Sequence, residues 1–335
     1  MRGSSHWKRL FPNFLWKLIE VKEIGIILAT VVVASSFMAL SPAFSTAGFW
    51  SVILSLASRI GTIAAGMTLL ICSREFDLSV GSVFALVPII AFVLAEMGVD
   101  IWVGVLVGMV ASVLCGLLNG FVTVRLGIPS LITTLGTMFF YRTLALVFSI
   151  GGAKSPPSDT VYRWIFGVGE IYGVSVVIIW WLAVSVFCVV ILEKTRHGNW
   201  TLATGGNEAA ARAVGVKTAR TKILNFVLTS VLAGLAGIIY GTKLNSMYAV
   251  YGIGMELQII GAVVIGGTSL AGGSGTVIGT LVGSTLLGII NLGIVTLVRL
   301  PGAIPSAYLF EGAVGALILL IAVLNVGLDR LRRRR

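Results

Sequence analysis

The sequence predicts an all-α, polytopic membrane protein of about ten transmembrane helices. Three observations carry that prediction. Of 335 residues, 57% are hydrophobic and only 11% charged, whereas a soluble domain carries about 25% charged residues. Apolar stretches of about 20 residues recur along the chain, each long enough to cross a hydrocarbon core of about 30 Å as a helix. The basic residues fall between those stretches, as they do in cytoplasmic loops. So distributed, the net charge of +11 describes a membrane topology and excludes nucleic acid as the reason for the basicity.

In chain order the spans are expected at 24–41, 50–72, 80–95, 101–124, 129–150, 174–192, 222–242, 256–268, 276–298 and 306–326. The third and eighth are short and interrupted by glycine. Residues 1–23 read as a cytoplasmic segment. The first apolar run follows Lys17, Glu20, Lys22 and Glu23, with no small-residue cleavage site. Residues 24–326 form a single transmembrane domain, and 327–335 a basic cytoplasmic tail. Cys72, Cys115 and Cys188 sit in or beside apolar segments and read as small packing residues.

Lys and Arg set the orientation. With the N-terminus inside, 18 of the 24 lie in cytoplasmic segments, six of them in the loop 193–221 and the first residues of the seventh span. Only Lys154, Arg163, Lys243 and Arg299 lie outside. Both ends are therefore expected in the cytoplasm, which agrees with an even number of crossings.

An inverted repeat is also expected. Small residues recur every fourth position in the fourth span (Gly104, Gly108, Ser112, Gly116, Gly120) and in the ninth (Gly275, Gly279, Gly283). Similar exits follow, "RLGIPS" at 125–130 and "RLPGAIPS" at 299–306, so spans two to five match spans seven to ten with opposite orientation. Inverted repeats mark transporters, although small residues at this spacing also serve close helix packing on their own.

No catalytic constellation is visible. His6 and His197 are the two histidines, and HExxH, CxxC and GxSxG are missing. No cofactor or metal is expected. GxxxxGK[ST] is missing as well, so this chain has no phosphate cradle for ATP.

Polar breaks are the remaining candidates. In "REFDLSVGS", 74–82, Asp77 or Ser79 can cap the third helix, and Gly81 allows close backbone approach. The other reading is a polar break lining a pathway or gate, since irregular backbone at membrane depth is tolerated only in protein or around water. "GGTSLAGGSG", 266–275, with Gly267, Thr268 and Ser269, is read as a second break at the matching place. Arg59 and Arg142 lie inside apolar spans, roughly 13 Å deep at 1.5 Å per residue. An arginine there snorkels, pairs or faces a water-filled cavity.

The loop 193–221 holds "TGGNEAAARAVG", 204–215. Gly205 and Gly206 end the preceding structure, and Asn207 is a good N-cap. Glu208 suits the positive end of the helix dipole. Ala209, Ala210, Ala211 and Ala213 propagate a helix, and Gly215 can close it in a left-handed C-cap. Two turns are not stable alone in water. This helix is therefore held by its own bundle, or offered as a rigid knob to a cytoplasmic partner.

"GGNEAAARAVGV", "ELQIIGAVVIGGTSLAGGSGTVIGTLVG" and "DLSVGS" together resemble the permease subunit of ABC importers of the ribose/monosaccharide type, a group related to the branched-chain amino acid permeases. The resemblance runs from about residue 45 to 325. It implies that Gly206, Asn207, Glu208, Ala209, Ala210 and Gly215 form the coupling helix that docks into ATPase subunits. It also implies a second permease copy or sibling in a dimer, an extracytoplasmic substrate-binding protein, and a place in the cell (inner) membrane among lipid. The chain departs from the family at "REF", where Gly-Ile is frequent. The expected function is import of a monosaccharide or related small polar solute. The rivals are a branched-chain amino acid ABC permease and an ion-coupled secondary transporter, for which Glu311 is the one candidate carboxylate.

Overall fold

The computed structural model describes residues 23–297, 309–310 and 312–317. They form a helical bundle: α1 Ile24–Leu40, α2 Ala47–Cys72, α3 Val80–Glu96, α4 Ile101–Arg125, α5 Ser130–Ser149, a single turn α6 Thr160–Arg163, α7 Val176–Lys194, α8 Arg196–Gly206, α9 Glu208–Ala213, α10 Thr218–Lys243, α11 Met255–Ile265 and α12 Val277–Leu297. Between α6 and α7 runs a two-stranded antiparallel hairpin, β1 Glu170–Ile171 and β2 Val174–Ser175.

Six of these helices (α2, α4, α5, α7, α10 and α12) are long and apolar enough to cross a membrane. Three shorter apolar helices, α1, α3 and α11, account for the expected first, third and eighth spans. α11 has only 11 residues, about 16 Å of helix, so it crosses little more than half a hydrocarbon core. Among the described residues, six long helices and three shorter ones stand at the first nine of the about ten expected spans, and ten full crossings are not confirmed. Most of the expected tenth span, with Glu311 and Arg299, lies outside them.

Helix α2 is the axis of the bundle. Every residue from Ile60 to Cys72 is buried, against α12, α10, α7 and α11. α10 plays the corresponding part on the other side, packing on α4, α3 and α2. The contacts are reciprocal: α2 meets α12 as α10 meets α4, and α2 meets α11 as α10 meets α3.

The small-residue stripe of α4 explains part of this. A Cβ on Gly104 would stand 2.7 Å from the Ala91 carbonyl of α3, and one on Gly116 would stand 2.6 Å from Val227 Cα of α10. The stripe thus lets α4 approach two neighbours at backbone distance, which is how helices associate where lipid is the solvent. Its opposite face, Leu106, Val110, Leu114, Leu117 and Phe121, is exposed at spacings of three and four residues. That is the face of an apolar helix toward an apolar surround.

Candidate functional site

Three loops quoted for their sequence converge at one end of the bundle. The Cys72 carbonyl, at the end of α2, accepts a hydrogen bond from Gly273 N at 2.9 Å. Gly205 lies against the same carbonyl, and Gly272 faces Arg74 Cβ at what would be 3.0 Å for a Cβ. The ends of "REF", "TGG" and "AGG" are therefore in mutual contact. Arg74 takes a left-handed backbone, φ 70, which a glycine would adopt at less cost.

The short helix α9 is capped as its residues dictate. Asn207 Oδ1 accepts from Ala210 N at 3.0 Å. At the other end Gly215 has φ 88. Gly215 N donates to Arg212 O and Val216 N to Ala211 O, each at 3.0 Å, the paired bonds of a Schellman ending. Two contacts hold the helix down. Ala211 is buried. Glu208 accepts from Arg212, from Thr218 Oγ1 at 3.2 Å and from Lys222 Nζ at 2.9 Å. Lys222 also donates to Glu75 Oε1 at 2.8 Å, so one buried lysine ties α9 to the "REF" loop. Burial works to raise the Glu208 carboxyl, but Lys222 and Arg212 outweigh it and hold it below the ordinary value of 4.5. Asn207, Ala209, Ala210, Ala213 and Val214 face outward, and Val214 is 80% exposed.

The preceding helix α8 is fixed by a buried amide. Asn225 Oδ1 lies 2.7 Å from His197 Nε2, and Asn225 Nδ2 donates to Thr201 Oγ1 at 3.2 Å and to the Leu69 carbonyl at 3.3 Å. α8 is thereby clamped between α10 and α2, and α9 is carried at its end.

Asp77 and Ser79 do not cap α3 with their side chains. Ser79 is the N-cap residue but makes no side-chain cap bond. Asp77 Oδ1 instead accepts from Ser79 N at 2.8 Å and from Ser79 Oγ at 2.6 Å. Asn119 Nδ2 of α4 donates to Ser79 Oγ at 2.8 Å and to Asp77 Oδ2 at 3.2 Å. Tyr141 OH of α5 completes the network, donating to Asn119 Oδ1 at 3.2 Å or to the Cys115 carbonyl at 3.1 Å. All four side chains are buried. Hydrogen bonds with Ser79 N, Ser79 Oγ and Asn119 Nδ2 satisfy the buried Asp77 carboxyl, which meets no cation among the described residues, as a buried polar group requires.

Gly81 does meet a neighbour closely: its partner is the Gly252 carbonyl, in the loop before α11. The expected equivalence of 74–82 with 266–275 is therefore corrected. The backbone that faces Gly81 is 252, while 266–275 faces Cys72 and Gly205. The reason is connectivity, because the loop after α10 stands to that helix as 73–79 stands to α2. In 266–275, Gly267 has φ 88, Thr268 Oγ1 is buried with no partner among the described residues, and Ser269 is bound into a turn, its N donating to Ser274 O at 3.0 Å.

The two membrane arginines are not together. Arg59 stands over the Tyr240 ring, 5.1 Å from its centroid, and Nη1 donates to Tyr240 OH at 3.3 Å. It lines a small cleft with Ser58 and Thr62. Arg142, on α5, stands 6.0 Å from the Phe139 ring of its own helix. Phe139 is 58% exposed, so Arg142 lies beside an exposed face of the bundle. Arg59→Gln is expected to lower transport with membrane abundance kept, and Arg142→Gln to leave both nearly unchanged. Uptake and immunoblot of membranes check this; equal losses in both variants contradict the separation.

Glu75, Asn119, Tyr141, Thr218 and Lys222 were not read from sequence as site residues. Asn119 carried a signal, being a strongly polar side chain in the apolar run "GLLNGF".

The chain matches the family model described as branched-chain amino acid transport system / permease component over residues 49–323. It is 35% identical to the ribose import permease protein RbsC of Escherichia coli K12, over 92% of this chain and 93% of that one. It is 38% identical to the L-arabinose transport system permease protein AraH of the same organism, over 70% and 71% of the two chains. With the xylose/arabinose import permease protein XylH of Sulfolobus acidocaldarius the identity is 32% over 90% and 84%.

Proposed function

The chain belongs to the family of branched-chain amino acid transport system permease components, and from that membership we propose that it is the permease subunit of an ABC importer for a monosaccharide. The observation that carries the substrate class is the likeness over nine-tenths of the chain to a permease whose name specifies ribose, with arabinose and xylose permeases beside it. The amino-acid reading rests on the family description alone.

In this reading the protein performs no chemistry. ATP is hydrolysed by separate cytoplasmic subunits, and an extracytoplasmic binding protein delivers the sugar. Two permeases pair, and the transmembrane domain spans 24–326 between the segments 1–23 and 327–335. α9 is the coupling helix. Its support is geometric: small side chains and Val214 face outward, while Ala211 and Glu208 anchor the other side. Differential contacts made there in the two nucleotide states shift the bundle between inward- and outward-facing forms. The Asp77–Ser79–Asn119–Tyr141 network joins α3, α4 and α5 behind the same end and is read as part of the gate, with Gly81, Gly267, Thr268, Ser269 and Arg59. The reciprocal packing of α2–α4 and α10–α12 supports an inverted repeat.

Topology follows from the charge asymmetry, with 193–221 cytoplasmic and 151–173 external. Thr218 is buried, so the informative probes are Val214→Cys and Ser158→Cys, both at exposed positions. Cys72, Cys115 and Cys188 are buried, which keeps background reaction low. In intact cells an impermeant thiol reagent is expected to label Ser158→Cys and spare Val214→Cys. Labelling of Val214→Cys contradicts the orientation.

A further inference from the structure

The seam between α4 and α10 ends in a group of cations. Along it a Cβ on Gly116 would stand 2.6 Å from Val227 Cα, and one on Gly120 would stand 3.0 Å from Ile223 Cα. The two helices therefore run antiparallel, one turn forward on α4 for one turn back on α10. The next turn sets the end of α4, with Arg125, beside the start of α10, with Arg220. Lys217 immediately precedes α10. All three side chains are exposed, and none makes a hydrogen bond or ion pair with a described residue. Glu75, Asp77 and Glu208 at this end are committed elsewhere, the two glutamates to Lys222 and Arg212, and Asp77 to Ser79 and Asn119. α5 starts at Ser130, and its Pro129 N-cap makes no side-chain bond. The partial positive charge of a helix N-terminus is thus added to the same edge.

Below these charges the surface is apolar. Leu114, Leu117, Phe121 and Arg125 follow one another at intervals of three, four and four, which sets the arginine at the end of one helix face. The three apolar members of that face are exposed. Arg220 and Leu224, four apart on α10, repeat the order of charge above and exposed apolar surface beneath. Such a surface matches a molecule with an anionic head and long apolar chains. Guanidinium forks bind phosphate through paired hydrogen bonds, and basic pockets between membrane helices take acidic lipid headgroups. A free phosphate or an acidic protein surface would engage the arginines and leave the apolar stripe unused.

We propose that the mouth of the α4–α10 seam binds an anionic phospholipid. The phosphate sits between Arg125 and Arg220, and an acyl chain runs along Leu117, Phe121 and Leu224. Lys217 adds attraction for the same negative head. The arginines supply the selectivity and the stripe supplies the hold, so a zwitterionic lipid can lie on the stripe without being preferred there. The site is independent of which solute the permease carries.

The test uses the full chain in vesicles, with a fluorophore attached at Leu224→Cys, an exposed position. The vesicles hold phosphatidylcholine and phosphatidylglycerol in equal amounts, and the acyl chains of one lipid or the other carry bromine, a contact quencher. Both leaflets have the same composition, so the direction of insertion does not affect the result. Stronger quenching by brominated phosphatidylglycerol is expected. The preference should fall about fivefold in each of Arg125→Gln and Arg220→Gln, and vanish in the double variant. Exposed as they are, these arginines are not needed for folding. Lys154→Gln, beyond the far end of α10 where Lys154 bridges to Met247, should keep the preference. Equal quenching by the two lipids overturns the site, as does a preference that survives in the double variant. Weak quenching by both lipids, the result of a second copy covering this face, overturns it too. Loss of the preference on adding the ATPase subunit assigns the arginines to that partner and likewise overturns the lipid site.

Discussion

Glu208→Lys and Gly215→Val are expected to abolish productive attachment of the ATPase while leaving the permease inserted and at normal abundance. Glu208 is the acceptor for Arg212, Thr218 and Lys222. A lysine there places a third cation beside two and removes the anchor of α9. Gly215 has open space around its Cβ position, so bulk is not the difficulty; its φ of 88 is. A β-branched residue in that region is strained by about 1–3 kcal/mol, which opens the Schellman ending and frays the second turn of a six-residue helix. Neither residue is in a long apolar helix, so insertion does not depend on them. ATPase pull-down and binding-protein-stimulated hydrolysis in vesicles are the readouts. Asp159→Lys, a comparably drastic change in the segment between α5 and α7, should keep the ATPase bound. Full attachment and stimulation in both α9 variants removes the coupling role from this helix.

Lys222→Met is the second large effect. The Lys222 and Glu75 side chains are 11% and 12% exposed, and the ammonium serves both carboxylates. Taking one partner from a buried pair costs about 3–5 kcal/mol, because the other charge is left uncompensated. The expected result is a clear fall in the thermal midpoint of the purified permease, together with loss of coupling. Glu75→Gln added to Lys222→Met should recover part of the stability, since both members of the buried pair are then gone. The pH dependence has a definite sign. Glu208 is held below 4.5 in the folded protein, so its contribution is present above that value and lost as pH falls through the lower folded value. Anchoring of α9 should be flat across neutral pH in the wild type. In Lys222→Met the loss on acidification should begin at higher pH. An unchanged midpoint in Lys222→Met contradicts the bridging role.

The sequence made α9 legible because every part of it is local. Asn207, Glu208, the alanines and Gly215 specify cap, charge, propensity and termination within nine residues. The apolar helices were legible for the same reason, to within a few residues at most ends. What could not be read depends on distance. Glu75 and Lys222 are 147 residues apart, and "REF" looked only like a departure from a Gly-Ile pattern until Lys222 was seen beside it. Asp77 and Ser79 were readable as helix caps, and the choice against capping was made by Asn119 and Tyr141 on two other helices. Arg59 and Arg142 look alike in sequence, each an arginine in an apolar run. Only the packing of α10 against α2 gives Arg59 a tyrosine and a cleft, while α5 leaves Arg142 beside an exposed phenylalanine.

Energy source is the most direct test of the account, because it separates an ABC permease from an ion-coupled carrier. The purified permease is placed in proteoliposomes with its ATPase and a pentose-loaded binding protein, and sugar accumulation is followed with ATP on the cytoplasmic side or with an imposed proton or sodium gradient. Accumulation that requires ATP, the ATPase and the binding protein together, and that disappears in Glu208→Lys, is the predicted result. Accumulation driven by an ion gradient in the absence of ATP and the ATPase would contradict it.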